Sequence, residues 1–252
     1  MLRRLSPAVL VLTIALVACG GQGPALTDAR EIISQGMQAT GEATSFHLDV
    51  AVSGAVSIPD TGGTFNLDGT TAGGDFDIVN KTARLTFSVP SFLGLSGEAI
   101  VVGTDTYLKT SLTGALYTKS AVEDSGVPID PDQAFEGVQS FLDEEGVVSE
   151  KLDDASCGDR TCYAVRLTIP TSLMASAGDA AGVDAGEFLG EALVLDLQFD
   201  RENLRLRQAS TDIDAGDIGT FGVLLTFSNY DASVEVSPPP DDQVTEGGAL
   251  PF

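Results

Sequence analysis

Alternating apolar and polar side chains run along much of this chain. Phe46, Leu48, Val50 and Val52 fall on one side of an extended segment, and His47 falls on the other. This period of two predicts a strand with one buried face, as in an antiparallel sheet. The pattern recurs at Leu85, Phe87 and Val89, at Val165, Leu167 and Ile169, at Leu193, Leu195 and Leu197, and at Phe221, Val223 and Leu225. About ten strands are expected, which is too many for a flat sheet, so the sheet should curl.

Two segments have helical spacing instead. Residues 26–40 form the first, with Thr27 as the predicted N-cap. The second starts at Asp130 and Pro131 and ends at Gly146. Its apolar stripe comprises Ala134, Phe135, Val138, Phe141 and Leu142. Because such a stripe needs an apolar surface to pack on, we expect an α+β fold: a strongly curved antiparallel half-barrel sheet with helices over its concave face, enclosing a hydrophobic cavity.

The N-terminus has the features of an export signal. Two arginines precede an apolar run at residues 8–18 that is too short to span a bilayer. Residues 16–19 then read Leu-Val-Ala-Cys, the pattern of a bacterial lipobox, in which a diacylglyceryl group is added to the cysteine and cleavage occurs before it. We therefore expect a signal peptide at residues 1–18 and lipidation at Cys19. The alternative is an ordinary secretory signal with a chance cysteine.

These features predict an exported lipoprotein with one folded domain. A short linker of Gly, Gln and Pro occupies residues 19–25, and the domain is expected at residues 26–237. Residues 238–252 form a predicted polar C-terminal tail rich in Pro, Gly and acidic residues. The lipid anchor would hold the protein on the outer face of the cell membrane, because two acyl chains anchor firmly where one binds only marginally.

The charge balance narrows the function further. The 252 residues include 13 Lys and Arg against 37 Asp and Glu, a formal net charge of −24. Such a surface cannot neutralise a row of phosphates, so nucleic acid is excluded as a partner. With one His, three Cys and no Trp, the chain offers little for a metal cluster or for a Ser/His or Cys/His catalytic centre. We expect no catalytic residues, no metal and no cofactor; a hydrolase built on carboxylates is the remaining enzymatic alternative.

The few residues with distinctive chemistry have structural interpretations. Cys157 and Cys162 are close in sequence, and in an exported protein this spacing predicts a disulfide across a turn. A metal site would need two further ligands near them. His47 is expected to be an exposed strand histidine. The acidic clusters at residues 143–154 and 212–217 lack the EF-hand frame, so we interpret them as solvated surface.

Short segments in a fixed order carry a resemblance to a known family. They are SFHLDV at residues 45–50, GTDTYLK at 103–109, LTGALYTK at 112–119, CYAVRL at 162–167, LDLQFD at 195–200 with LRLR at 204–207, and LTFSNYD at 225–231. Together with the lipobox, their order and spacing resemble the LppX/LprG-type bacterial lipoproteins, whose fold is similar to that of the LolA and LolB carriers.

The resemblance implies a hollow half-barrel that binds acylated lipids and helps move them between the membrane and the outer envelope. The implied partners are a lipid or glycolipid ligand, the membrane through the N-terminal lipid anchor and, as a further candidate, a membrane transporter. The residues expected to line the cavity are Phe46, Leu48, Val50, Val52, Leu85, Phe87, Val89, Phe135, Val138, Phe141, Leu142, Val165, Leu167, Ile169, Leu193, Leu195, Leu197, Phe221, Val223 and Leu225. These faces would equally suit an ordinary core, so a non-carrier envelope scaffold or transporter accessory lipoprotein with a filled core stays open as the alternative.

Overall fold

One curved antiparallel sheet dominates the fold. The computed structural model describes residues 25–58, 63–121, 142–173 and 192–246. Within these ranges helix α1 (Ala29–Gly41) accompanies a 14-stranded sheet, and residues 142 and 171–173 are also helical. Its strands are β1 (Ser45–Ile58), β2 (Gly63–Asn66), β3 (Thr70–Asp77), β4 (Thr82–Val89), β5 (Leu95–Val102), β6 (Asp105–Thr110), β7 (Tyr117–Ala121), β8 (Val148–Lys151), β9 (Ala155–Cys157), β10 (Arg160–Pro170), β11 (Ala192–Asp200), β12 (Leu206–Asp214), β13 (Gly219–Ser228) and β14 (Val244–Glu246). The predicted signal peptide and Cys19 lie outside the described residues.

The strand order places the first long strand in the middle of the sheet. The order is β14-β7-β6-β5-β4-β3-β1-β13-β12-β11-β10-β8, with β2 paired to β1 and β9 paired to β10. Neighbours run antiparallel except β14 and β7, which are parallel. The outermost strands β14 and β8 do not pair with each other in the described chain, so the sheet is open. The predicted curved antiparallel sheet is confirmed, and it contains more strands than the alternation indicated.

Helix α1 packs on the apolar face of the sheet near one end. Its N-cap is Asp28, whose Oδ1 accepts a hydrogen bond from Glu31 N at 2.8 Å. The predicted cap at Thr27 is therefore wrong by one residue. The helix contacts β8, β10, β11 and β12 through one buried stripe. This stripe consists of Ala29, Ile32, Ile33, Gly36, Met37 and Thr40.

The second predicted helix falls mostly on residues 122–141, which lie outside the described residues. A second helix over the sheet therefore stays a prediction. The stripe residues concerned are Ala134, Phe135, Val138 and Phe141. Leu142, the next residue along the stripe, is buried in the main core. Gly146 has a φ of 94°, the left-handed conformation that commonly follows the end of a helix.

The contact between α1 and β11 leaves no space for a residue larger than glycine at position 36. Phe199 is fully buried, and a Cβ built at Gly36 would lie 2.3 Å from Phe199 Cδ1. Thr40, one turn later, is also buried; its hydroxyl donates to Gly36 O at 2.7 Å and accepts from Leu206 N at 2.8 Å. This side of the apolar face is thus filled by close packing between helix and sheet.

An aromatic cluster continues the core across the central strands. Phe46 of β1 stacks on Phe76 of β3 with ring centroids 4.9 Å apart, and it meets Phe227 of β13 at 5.7 Å. Tyr230 follows β13, packs on the same ring at 6.3 Å and donates its hydroxyl hydrogen to Leu206 O. The cluster joins the two halves of the sheet at the end nearer α1, because it bridges β3, β1 and β13.

The chain after β13 crosses the opposite face of the sheet, here called the polar face. Residues 229–243, which we name the C-terminal strap, lead to β14 at the edge beside β7. Val236 of the strap and Val244 of β14 pack on a second apolar cluster. This cluster consists of Ile100, Tyr107 and Tyr117. The folded chain therefore continues past residue 237, where the domain was expected to end and a polar tail to begin.

Substitution of Gly36 tests the packing of α1. We expect Gly36→Ala to lower the free energy of unfolding by about 1–2 kcal/mol, because the strain of overpacking exceeds the gain in helix propensity. Urea denaturation of the variant and of the parent protein measures this difference. In a Phe199→Leu background the cost should shrink, since the clashing ring is gone. An unchanged or higher stability for Gly36→Ala in the parent would contradict the packing described.

Candidate lipid-binding face

The residues expected to line the cavity, where they lie in described strands, are placed by the strand register on the face that carries α1. Val50 of β1 is paired with Leu225 of β13, and through β12 and β11 this row continues to Leu197 and Val165. In the other direction the same row passes through Ala72 of β3 to β4. Alternation along each strand then places the remaining candidates on this face, because successive side chains point to opposite sides.

This face divides into a filled part and a half-buried part. The filled part lies under α1 and around the aromatic cluster, where the candidates are buried: Phe46, Val165, Leu167, Ile169 and Leu197. The other part retains partial solvent exposure. We call it the half-buried patch, and it consists of Leu48, Val50, Val52, Leu85, Phe87, Val89, Leu193, Leu195, Phe221, Val223 and Leu225. Only Leu48, Leu85, Leu195 and Leu225 of this patch pack against the main core.

Small residues create a trough along β3, between two ridges of large side chains. Gly74 lies between Leu48 of β1 and Leu85 of β4, and Ala72 lies between Val50 and Phe87. Two neighbouring strand spacings separate the ridges by about 10 Å. We call this feature the β3 trough. Its floor is low because neither small residue projects a chain that fills the space between the ridges.

Close backbone contact explains the glycine in the floor of the β3 trough. A Cβ built at Gly74 would lie 2.0 Å from the carbonyl oxygen of Arg84 on β4. No residue with a side chain fits there without moving the backbone. On the far side of β4, the Phe87 ring leans over Gly97 of β5, where a Cβ would lie 2.5 Å from Phe87 Cζ. The Phe87 ring thus lies toward β5, on the side of β4 away from Ala72.

A second row of small side chains lies along β12. Ala209 is paired with Leu225 of β13 and with Leu197 of β11. Thr211, two residues later, is paired with Val223. Strands with small residues therefore stand on both sides of the central pair β1–β13. The alternation of large apolar side chains does not indicate these positions, although the run Thr-Thr-Ala-Gly-Gly in β3 marks a strand without such side chains.

The polar face carries an open groove of about 810 Å³ along β1 and β3 to β6. Its charged side chains are paired with one another. Glu98 is 3.3 Å from Arg84 Nε and 3.6 Å from Lys109 Nζ, and it accepts a hydrogen bond from the Tyr117 hydroxyl at 2.8 Å. Thr71, Thr86, Ser88, Ser96 and Ser111 add hydroxyls to the lining. The lining of the groove therefore combines paired charges and hydroxyls with the glycine-rich backbone of β3.

His47 lies at one end of this groove and has two carboxylate neighbours. Its Nδ1 is 2.7 Å from Asp75 Oδ1 and its Nε2 is 3.4 Å from Asp49 Oδ1. The hydrogen bond to Asp75 raises the pKa of His47 above its ordinary value, and the charges of Asp75 and Asp49 act in the same direction. The prediction of an exposed histidine is therefore wrong, since the ring is half-buried and paired across two strands.

The two cysteines, the other residues with distinctive chemistry, have a structural role. Cys157 and Cys162 form the predicted disulfide, with Cα atoms 5.9 Å apart. The bond closes the turn between β9 and β10 at Gly158, which has a φ of 74°. Across the described ranges, no cluster of three or more His, Cys, Asp or Glu side chains is arranged to hold a metal ion. Among the same residues, no helix is both long and apolar enough to cross a bilayer.

The open curved sheet with a helix on its apolar face defines an LppX/LprG-type fold, as the sequence resemblance predicted. Lipoprotein LppX from Mycobacterium tuberculosis is similar with a TM-score of 0.54 at 17% identity, over 83% of this chain and 98% of that one. LprF from Mycobacterium bovis gives a TM-score of 0.60 at 18% identity, over 86% of this chain and 99% of that one. No protein-family model and no curated protein matches the sequence.

Replacement of His47 tests the electrostatics of the polar face. A raised pKa means that the charged ring stabilises the fold below the unfolded-state pKa, and that this contribution is lost as the pH rises through the folded-state pKa. We expect His47→Gln to be destabilising at pH 5.5 and nearly neutral at pH 9, as measured by urea denaturation. An NMR titration of this single histidine provides an independent check. A folded-state pKa below the ordinary value, or a larger destabilisation at pH 9, would contradict the assignment.

Proposed function

We propose that this protein is a membrane-anchored lipoprotein that binds the acyl chains of a lipid or glycolipid on its apolar face and carries the lipid across the cell envelope. The observation that carries the proposal is the half-buried patch, with its floor of small residues along β3. LppX, which shares the fold, is a lipoprotein. The lipobox at Cys19 supports the same class of protein and an exported location.

The energetics of acyl burial are sufficient for this function. One chain of about 16 carbons removes about 15 CH₂ groups from water, and at roughly 0.8 kcal/mol each this gives up to roughly 12 kcal/mol before ordering costs. Val50 and Phe87 on either side of Ala72 are half-buried and offer apolar walls for such a chain. Because the patch is half-buried, the protein keeps contact area for a ligand without exposing the whole face to water.

Binding and release of the lipid by a protein held at the membrane would be sufficient for this function, and no covalent step is required. A diacylglyceryl group on Cys19 would tether the protein to the membrane. The net charge of −24 would hold the folded body away from anionic headgroups. The proposed carrier therefore stays near its source of lipid without adhering over its whole surface. A membrane transporter is a further proposed partner.

The alternative is an envelope scaffold or a transporter accessory lipoprotein with a filled core. The dense packing of Phe199 against Gly36 under α1 favours this alternative for that part of the face. Organic extraction of the protein purified from its native host with its lipid anchor deleted, followed by mass spectrometry, distinguishes the two. We expect acylated lipid in the extract at a near-stoichiometric level, and a lipid-free extract would favour the scaffold.

Filling the β3 trough tests where the acyl chain binds. Ala72→Leu places a branched side chain on the floor between Val50 and Phe87, so less apolar surface is left for a ligand. We expect the affinity for the fluorescent fatty acid cis-parinaric acid to fall about tenfold, which corresponds to about 1.4 kcal/mol.

The matched control is Thr71→Leu, which adds the same side chain to the neighbouring residue of β3 on the polar face. This control should leave the affinity unchanged, and urea denaturation should show both variants to be folded. Equal affinities for Ala72→Leu and the parent protein would rule out the trough as the binding site.

A further inference from the structure

Two hairpin tips at one end of the sheet expose large apolar side chains. Residues 90–94 join β4 to β5, and residues 111–116 join β6 to β7. Together we call these tips the apolar rim. Ser111 N donates to Ser96 O at 2.7 Å and Ser96 N donates to Ser111 Oγ at 3.1 Å, so the two tips are side by side. The exposed side chains and their exposed fractions are Phe92 at 44%, Leu93 at 86%, Leu112 at 58% and Leu116 at 42%.

The composition of the rim differs from that of the rest of the molecule. The tips read Pro-Ser-Phe-Leu-Gly and Ser-Leu-Thr-Gly-Ala-Leu, without a charged residue, in a chain with 37 acidic and 13 basic residues. At the other end of β3 to β6, Lys81 lies in the turn between β3 and β4, while Asp77 ends β3 and Asp105 begins β6. Single exposed apolar residues are common on protein surfaces, but a group of four on adjacent uncharged turns marks an interaction surface.

Internal hydrogen bonds hold the tips in place. Phe92 N donates to Val89 O at 3.1 Å, Gly94 N to Pro90 O at 3.1 Å and Leu95 N to Phe92 O at 2.8 Å. In the second tip, Thr113 N donates to Thr110 O at 3.2 Å, while the two threonine hydroxyls lie 3.1 Å apart. These hydrogen bonds fix the turn conformation of both tips and so hold their apolar side chains in place.

Leu93 occupies a conformation that its side chain does not favour. Its φ is 54°, in the left-handed region, where Gly or Asn would be less strained. The turn nevertheless places this leucine almost fully in solvent. The side chain of Leu93 therefore contributes little to the core, and the backbone conformation of the turn does not call for a leucine. Phe92 beside it rests edge-on against Phe65 of β2, with centroids 6.2 Å apart.

We propose that the apolar rim inserts shallowly into the interface of a lipid bilayer. Uncharged tips with Phe and Leu match the composition of segments that enter the boundary between headgroups and acyl chains. The net charge of −24 keeps the rest of the surface out of that region. Asp68 lies in the adjacent turn between β2 and β3. Its Oδ1 accepts a hydrogen bond from Gly54 N at 2.8 Å, which holds this carboxylate against the backbone of β1.

The rim also stands at the end of the half-buried patch. Strand β4 runs from Leu85 and Phe87 to Val89 and directly into the first tip. Insertion of the rim would bring the open part of the apolar face to the membrane surface, where a lipid can pass between bilayer and protein. This role in lipid transfer rests on the proposed function, whereas the insertion itself rests only on the exposed tips.

Because the sequence contains no tryptophan, the fluorescence of one introduced tryptophan reports on the rim alone. Phe92→Trp in the full-length protein introduces a single tryptophan into the rim. The protein is reconstituted into phosphatidylcholine vesicles with and without brominated acyl chains. We expect a blue-shifted emission and roughly a twofold or larger quenching by the brominated lipid, because the residue would lie at the depth of the acyl boundary.

Val79→Trp is the matched control. Val79 is 69% exposed and lies in the turn between β3 and β4 at the opposite end of the sheet. Its tryptophan should remain unquenched in the same vesicles, although the protein is equally close to the membrane through its anchor. An unquenched tryptophan at position 92, as expected for a rim that binds another protein, or equal quenching at both positions, would overturn the inference.

A second variant separates insertion from misfolding. Leu93→Asn suits the left-handed conformation and should leave stability to urea unchanged or slightly increased. Combined with Phe92→Trp, it should reduce the quenching severalfold. Unchanged quenching would overturn the role of the rim. Mass spectrometry of lipid extracted from the anchor-deleted protein, purified from its native host and never mixed with vesicles, reports on the proposed function separately, so either idea can fail while the other stands.

Discussion

The fold depends on how the apolar face of one wide sheet is kept from water. Burial of apolar surface is the dominant favourable term in folding, at about 25 cal/mol per Å². Helix α1 covers this face at β8, β10, β11 and β12, where the packed side chains are buried. Along β1, β4 and β13, Phe46, Ala83 and Phe227 of the same face are buried, whereas the side chains of the half-buried patch are not. An antiparallel sheet of this width therefore carries more apolar surface than α1 alone covers.

The two faces of the sheet have different roles because alternation separates their chemistry. On the polar face, His47, Glu98 and the cations around them pair with one another across strands, and the C-terminal strap covers the second apolar cluster. These groups need no external ligand. On the apolar face, Gly74 and Ala72 lie between ridges of leucine, valine and phenylalanine, and the row through Ala72 is half-buried. A ligand with a hydrocarbon chain would complete that face in the way that α1 completes the part beneath it.

Periodicity predicted the features that depend on local sequence. The alternation from Phe46 to Val52 gave the central strand and its buried face, and the close spacing of Cys157 and Cys162 gave the disulfide. Contacts between distant residues could not be predicted in this way. The pairing of His47 with Asp75 requires the register of β1 and β3, and the packing of Gly36 on Phe199 joins residues far apart in the chain. Strand β14 has too few residues for a period to show, and its position depends on the edge of β7.

The most direct measurement of the central claim is methyl NMR of the leucine and valine side chains in the presence of a phospholipid with a nitroxide on its acyl chain. If the chain binds in the β3 trough, the signals of Val50, Val52 and Leu85 will broaden strongly. Those of Val165 and Leu167 beneath α1 will remain sharp or broaden much less. Uniform broadening, or broadening confined to side chains on the polar face, would contradict binding on the half-buried patch.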